Sequence, residues 1–189
     1  MNGVSTLAKA VRDLIAKVPE CLDDDLLETL GECQSPIEQE LAVGLAYHLR
    51  NGDEPIECLV QEPVSVGNKE YRVDFLLSYY DMIFDDGKPV FDWETQLAVE
   101  CDGWEWHSSK QQIGNDNKRD QDLLICQDLL TIRFTGSEIF NDPMAAAGRA
   151  LQTLRRLNRH TRENNLLLLE KHKSKSYGTE RFEWLGGCA

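Results

Sequence analysis

No stretch of the 189 residues approaches the roughly 18 consecutive apolar side chains that a bilayer-spanning helix needs, which excludes a helical membrane protein. The first ten residues have neither the basic start nor the apolar stretch of a secretory signal, so a cytoplasmic protein is expected. Cysteines spaced C-x-x-C are missing: Cys21, Cys33, Cys58, Cys101, Cys126 and Cys188 are scattered, a usage that fits free thiols and argues against zinc. Internal repeats and low-complexity tracts are absent too. Basic residues are scarce, 20 Lys and Arg against 33 Asp and Glu, and a net charge of -13 is hostile to nucleic acid taken globally.

That charge is unevenly spread, -8 over residues 1–60, -7 over 61–102 and +2 over 103–189, which permits a local anion-binding surface late in the chain. The length suits one domain with terminal additions. Helical spacing of Leu7, Val11, Leu14, Ile15 and Val18, and a second short helix over 24–30, read as an N-terminal helical addition, residues 1–33. The core, 34–160, opens on Ser35-Pro36-Ile37-Glu38, a helix start with a serine cap, followed by an apolar stripe that ends at Asn51-Gly52. Residues 59–66 and 71–77 are β-rich and joined by Gly67-Asn68, the pattern of a hairpin, and 97–101 is a third strand. The connection 78–96 fits a surface loop or an extended hairpin. A helix over 116–127, with Leu123, Leu124 and Cys126 as its apolar side, a strand over 129–134 and a helix from Pro143 complete the core. Met144, Ala147, Leu151 and Leu154 form that last helix's stripe, with Arg149 and Arg156 opposite. Residues 161–189 are a tail of uncertain structure. The order helix, three strands, helix, strand, helix predicts a mixed α/β or α+β core.

Strand alternation puts Val73, Phe75 and Leu77 on one face and Asp74 on the other, and sets Leu97, Val99 and Cys101 against Ala98, Glu100 and Asp102. If the two strands pair, Asp74 and Glu100 converge. Converging carboxylates among apolar neighbours repel unless a cation or proton is shared, and a hard ion such as Mg²⁺ is commonly held by one or two of them. The alternative is that Arg72 or Lys118 pairs with one carboxylate while the other faces water. His107, beyond the strand end and after Gly103, stands where a general acid or base beside the site belongs.

Together, Tyr71-Arg72-Val73-Asp74-Phe75, Glu100-Cys101-Asp102-Gly103 with His107, then Asp116, Arg119 and Asp120, and Ile132-Arg133-Phe134 before Asn141-Asp142-Pro143 resemble the PD-(D/E)XK nuclease superfamily. Within it, the similarity is to the branch containing the very-short-patch mismatch-repair endonuclease and its bacterial relatives, over about residues 35–157. The resemblance implies a restriction-endonuclease-like three-layer α/β core with a central mixed sheet of about four strands flanked by helices. It implies Mg²⁺ (or Mn²⁺) bound by Asp74, Glu100 and the Cys101 backbone carbonyl, with Asp102 a further candidate, and DNA as the substrate. Glu38 would order the metal-bound water, although its place as the third residue of a capping box explains it equally. His107 would move the proton and Asp120, or Asp116, would orient it. Trp104, Trp106, Lys118, Arg119, Arg149 and Arg156 would contact DNA, the tryptophans by stacking. Asp102 stands where the superfamily's common E-x-K has lysine. Two other functions fit the same residues: a catalytically inactive nuclease-fold module that binds nucleic acid or regulates, and an acidic module that binds a basic protein.

Overall fold

Ser35 and Pro36 start the helix on which the rest is built. Ser35 Oγ accepts from the Glu38 backbone N–H, proline's fixed φ suits the first turn, and the helix runs Pro36–Arg50 before stopping at Asn51. The computed structural model describes residues 7–85, 87–103 and 110–176. Ahead of this helix, α3, come α1 (Lys9–Ile15), a 3₁₀ turn (Pro19–Cys21) and α2 (Asp24–Glu32), the last capped by the Asp23 side chain. Their residues Val11, Leu14, Ile15, Cys21, Leu26 and Leu30 are buried in the same apolar cluster as Leu41, Val43 and Leu45 of α3, so this addition shares the main core.

Three long strands follow, β1 (Ile56–Val66), β2 (Lys69–Asp85) and β3 (Lys88–Asp102), then α4 (Lys110–Gln127), β4 (Leu130–Thr135), α5 (Gly136–Asn141) and α6 (Pro143–Ser176). The sheet order is β1-β2-β3-β4, with the first two pairings antiparallel and β3–β4 parallel. The expected four-stranded mixed sheet flanked by helices is what the chain forms. Helices α1, α2, α3, α5 and α6 cover one face through the large cluster, and α4 covers the other through a small one, in which Leu123 and Leu129 meet Val66, Val73, Leu76 and Ala98. Among the described residues no helix is long and apolar enough to cross a membrane.

The structure takes one of the two options left open for 78–96 and departs from the sequence reading at four other points. The connection 78–96 is an extended hairpin, β2 and β3 staying paired from Phe75–Val99 out to Asp85–Lys88. Its outer part is fastened to α6: Asn158 accepts from Trp93 Nε1 (2.8 Å) and Thr95 Oγ1 (3.1 Å), and Arg162 pairs with Asp81 (2.7 Å). The tail is helical as far as Ser176, because no glycine or proline interrupts the chain between Arg149 and Ser176. On α4 only Leu123 points inward among the described side chains; Leu124 and Cys126 are exposed, since one sheet face meets the helix along a single narrow line. Helix α5, not foreseen, rests on a capping box in which Thr135 Oγ1 accepts from the Glu138 N–H and Glu138 accepts from the Thr135 N–H.

The fourth change concerns the strands beside the candidate site. Val73 does not share a face with Phe75 and Leu77; it packs with the α4 cluster while they pack with the α3/α6 cluster. The same switch occurs on β1, where Ile56, Cys58 and Val60 meet the large cluster but Val64 and Val66 meet the small one. Equal parity cannot serve both faces unless alternation breaks, and it breaks at Gln61, whose φ is 53°. The register is the same on either side, Val60 against Phe75 and Glu62 against Val73, so Gln61 and Asp74 are the positions skipped by both strands. The inner end of the hairpin thereby turns onto α4, where Lys69 and Tyr71 both bond Asp122 (2.7 and 2.6 Å).

Candidate metal and phosphate site

One step beyond the Phe75–Val99 pair, Asp74 on β2 and Glu100 on β3 come to the same cleft. Asp74 Oδ2 accepts from the Cys101 backbone N–H at 2.7 Å and Oδ1 from Gln61 Nε2 at 3.3 Å. Glu38, on the first turn of α3, faces the same place. Its Oε1 accepts from Ser35 Oγ (2.7 Å), and its Oε2 accepts from the Gln34 backbone N–H (2.7 Å) and from Gln61 Nε2 (2.9 Å). The side chain of Glu38 is thus held by the residues that open α3 while it lines the cleft.

These three carboxylates line a cleft of about 340 Å³ with Cys101, Asp102, Gly103, Asn115, Asp116, Arg119 and Arg133. Both strand carboxyls are held above their ordinary values. Burial, opposed by the Cys101 N–H and reinforced by Glu38, raises Asp74, and burial followed by the Asp74 charge pushes Glu100 up to about 7. The opposing charge is Arg119 from α4, whose Nη2 lies 2.7 Å from Glu100 Oε1. This close approach is an ion pair without hydrogen-bond alignment: Glu100 Oε1 and Arg119 Nε and Nη2 are buried atoms that lack an aligned hydrogen-bond partner. Neither Arg72 nor Lys118, both exposed, is the partner the sequence suggested. Arg119 takes that place because α4 carries this residue, half-buried, against Glu100.

The cation–carboxylate ladder continues across the sheet. Parallel pairing sets Arg133 of β4 beside Glu100; Arg133 then reaches Asp102 (Nη1 to Oδ1, 3.1 Å) and Asp120 (Nη2 to Oδ1, 2.9 Å). Asp120 is thus engaged by Arg133. Asp102 is likewise tied to an arginine. The thiols offer no nucleophile here. Burial pushes Cys33 and Cys58 up to about 12 and raises Cys101 as well, so at neutral pH each stays protonated.

Whether the residues suit a hard cation is decided by donor chemistry. Among the described residues no three His, Cys, Asp or Glu side chains form a ligating group. An ion held by Asp74, Glu100 and the Cys101 carbonyl would therefore keep several waters, the usual habit of Mg²⁺. Mutually repelling carboxylates and the unaligned buried oxygen of Glu100 fit such an occupant. Of the remaining candidates, Lys118 is exposed and Arg149 and Arg156 are exposed on α6, Arg149 stacking over Phe134 and pairing with Glu138. His107, Trp104 and Trp106 lie outside the described residues. Sequence reasoning missed two participants, Gln61 and Arg133. Arg133 had a signal, an arginine alternating with apolar residues on a predicted strand; Gln61 had none, because a left-handed φ at glutamine leaves no mark in residue type.

No protein-family model, curated protein or solved structure matches the chain.

Proposed function

We propose that the chain is a divalent-metal-dependent DNA endonuclease with a restriction-endonuclease-like fold. The observation that carries the reading is the adjacency of Asp74 and Glu100 on neighbouring strands, in a cleft shared with Glu38 and faced by Arg119. Bound there, Mg²⁺ (or Mn²⁺) supplies charge that polarises a phosphate and acidifies water. Asp74, Glu100 and the Cys101 carbonyl do the holding. Glu38, fixed by Ser35 and Gln34, lines the same cleft. Arg119 stands in for the absent lysine as the fixed positive charge beside Glu100, and its poorly aligned donors can turn to a phosphate oxygen. His107, placed by sequence just past Gly103, would take the proton of the attacking water as the new P–O bond forms, and the leaving oxygen would take a proton from solvent as the scissile P–O bond breaks.

Cleavage of plasmid and oligonucleotide DNA in Mg²⁺ and Mn²⁺ tests this. Asp74→Ala is expected to abolish cleavage with the fold intact, and His107→Ala to slow it by roughly a hundredfold or more. Cleavage that survives Asp74→Ala overturns the reading. The tie between Asp102 and Arg133, where a catalytic lysine would stand, favours an inactive DNA-binding module as the second reading. Salt-dependent DNA binding with no turnover in either metal would support it.

A further inference from the structure

Gln61 sits mid-strand in β1 with a φ of 53°, a left-handed conformation that a glutamine seldom adopts and that tertiary contacts must hold in place. The contacts are on its amide. Two carboxylates, Glu38 Oε2 (2.9 Å) and Asp74 Oδ1 (3.3 Å), call for the donating NH₂ end of the amide, and Oε1 accepts from Gln34 Nε2 at 2.7 Å. One NH₂ group thus serves two carboxylates that would otherwise repel, one on a helix and one on a strand. An ordinary extended residue at 61 would continue the alternation, keep the hairpin flat against the large cluster, and send this side chain elsewhere.

We propose that Gln61 is a positioning residue of the cation site: its left-handed backbone and bridging amide hold Asp74 and Glu38 at the separation and orientation in which a divalent cation is captured. The proposal rests on the reading of Asp74 as a cation ligand. Outer-sphere partners of this kind typically change metal affinity by about 10- to 100-fold when removed.

Mn²⁺ titration of the full chain by electron paramagnetic resonance, alongside thermal unfolding in chelator, tests it with wild type, Gln61→Gly, Gln61→Asn and Asp74→Asn. Glycine and asparagine tolerate the left-handed backbone, but glycine has no amide and asparagine's is one methylene short. Both variants should unfold at or near the wild-type temperature and yet bind Mn²⁺ about tenfold more weakly, while Asp74→Asn should not bind it at the site. A merely structural role would leave Mn²⁺ affinity unchanged wherever the unfolding temperature is unchanged. Wild-type affinity in Gln61→Gly, with binding lost in Asp74→Asn, overturns the role of Gln61 and leaves the cation reading standing. Equal Mn²⁺ binding by wild type and Asp74→Asn overturns the cation reading and this proposal with it.

Discussion

At the scale of single residues, Glu100 makes the metal-free protein sensitive to pH in an unusual direction. Its carboxyl titrates near 4.5 in an unfolded chain and is pushed up to about 7 in the folded one, by burial and by the charge of Asp74. Between those values the folded chain holds a proton that the unfolded chain has released. The associated stability is complete below the unfolded value and is lost as pH rises through about 7. The upward shift of Asp74 has the same sign. The urea midpoint in chelator should therefore fall between about pH 5 and about pH 7.5, a loss of order 2 kcal/mol. Glu100→Gln should flatten the slope, as should saturating Mg²⁺. A slope unchanged in Glu100→Gln would assign it to other groups. Asp74 and Glu100 were legible in the sequence because a carboxylate amid valine, leucine and phenylalanine stands out by residue type, although the period-two alternation that framed the expectation breaks at Asp74 itself. Their cation was not legible: choosing Arg119 over Arg72 or Lys118 requires knowing which residue α4 carries against Glu100, a tertiary fact.

At the scale of elements, the two helical layers are held by unequal means, and mutations should find them so. On the α3/α6 side the helices approach closely at Gly44, where an added Cβ would lie 2.6 Å from the Pro143 carbonyl oxygen and 3.0 Å from the Ala147 Cβ. Gly44→Ala should cost about 1–3 kcal/mol by overpacking, despite alanine's better helix propensity. On the other side, Leu123 is the only buried side chain of α4 among the described residues, so Leu123→Ala should cost about 2–4 kcal/mol and loosen α4 specifically. Since Arg119 rides on α4, Leu123→Ala should also lower cleavage activity more than Gly44→Ala does. Equal losses of activity at equal losses of stability would detach Arg119 from the site. Caps and stripes made α3 and the start of α6 readable from sequence to within a residue or so. The segment 78–96 could not be read that way. Its aromatics and acids suit a loop as well as a ribbon, and the choice is made by Asn158 and Arg162, more than sixty residues later in the chain. The apolar side expected for α4 failed for a related reason: a helix that touches its sheet along one line needs one anchor, and the sequence supplies three candidates.

For the molecule as a whole, the charge balance sets how DNA can be approached. With a net charge of -13 and a cleft lined by Glu38, Asp74, Glu100, Asp102 and Asp116, long-range electrostatics repel a polyanion from the place where a phosphate must sit. Five of the described arginines do little to reverse this, because Arg119, Arg133, Arg149, Arg155 and Arg162 are each paired with a carboxylate. Under the proposed function, such a protein would depend on its cation for binding as well as for chemistry. Two changes would follow cation entry: carboxylate charge in the cleft is neutralised, and Arg119 is freed from Glu100 to face the phosphate. Fluorescence anisotropy with a labelled duplex, using the cleavage-deficient His107→Ala chain, should show affinity at least about tenfold higher in Mg²⁺ or Mn²⁺ than in chelator, corresponding to roughly 1.4 kcal/mol. The gain should vanish in Asp74→Asn. Arg156→Glu should weaken binding in all conditions and shrink the slope of log K against log salt by about one, the mark of a phosphate contact remote from the cleft. Equal affinity in chelator and in Mg²⁺ would mean that DNA binds away from Asp74 and Glu100, and the acidic cleft would then need a different substrate.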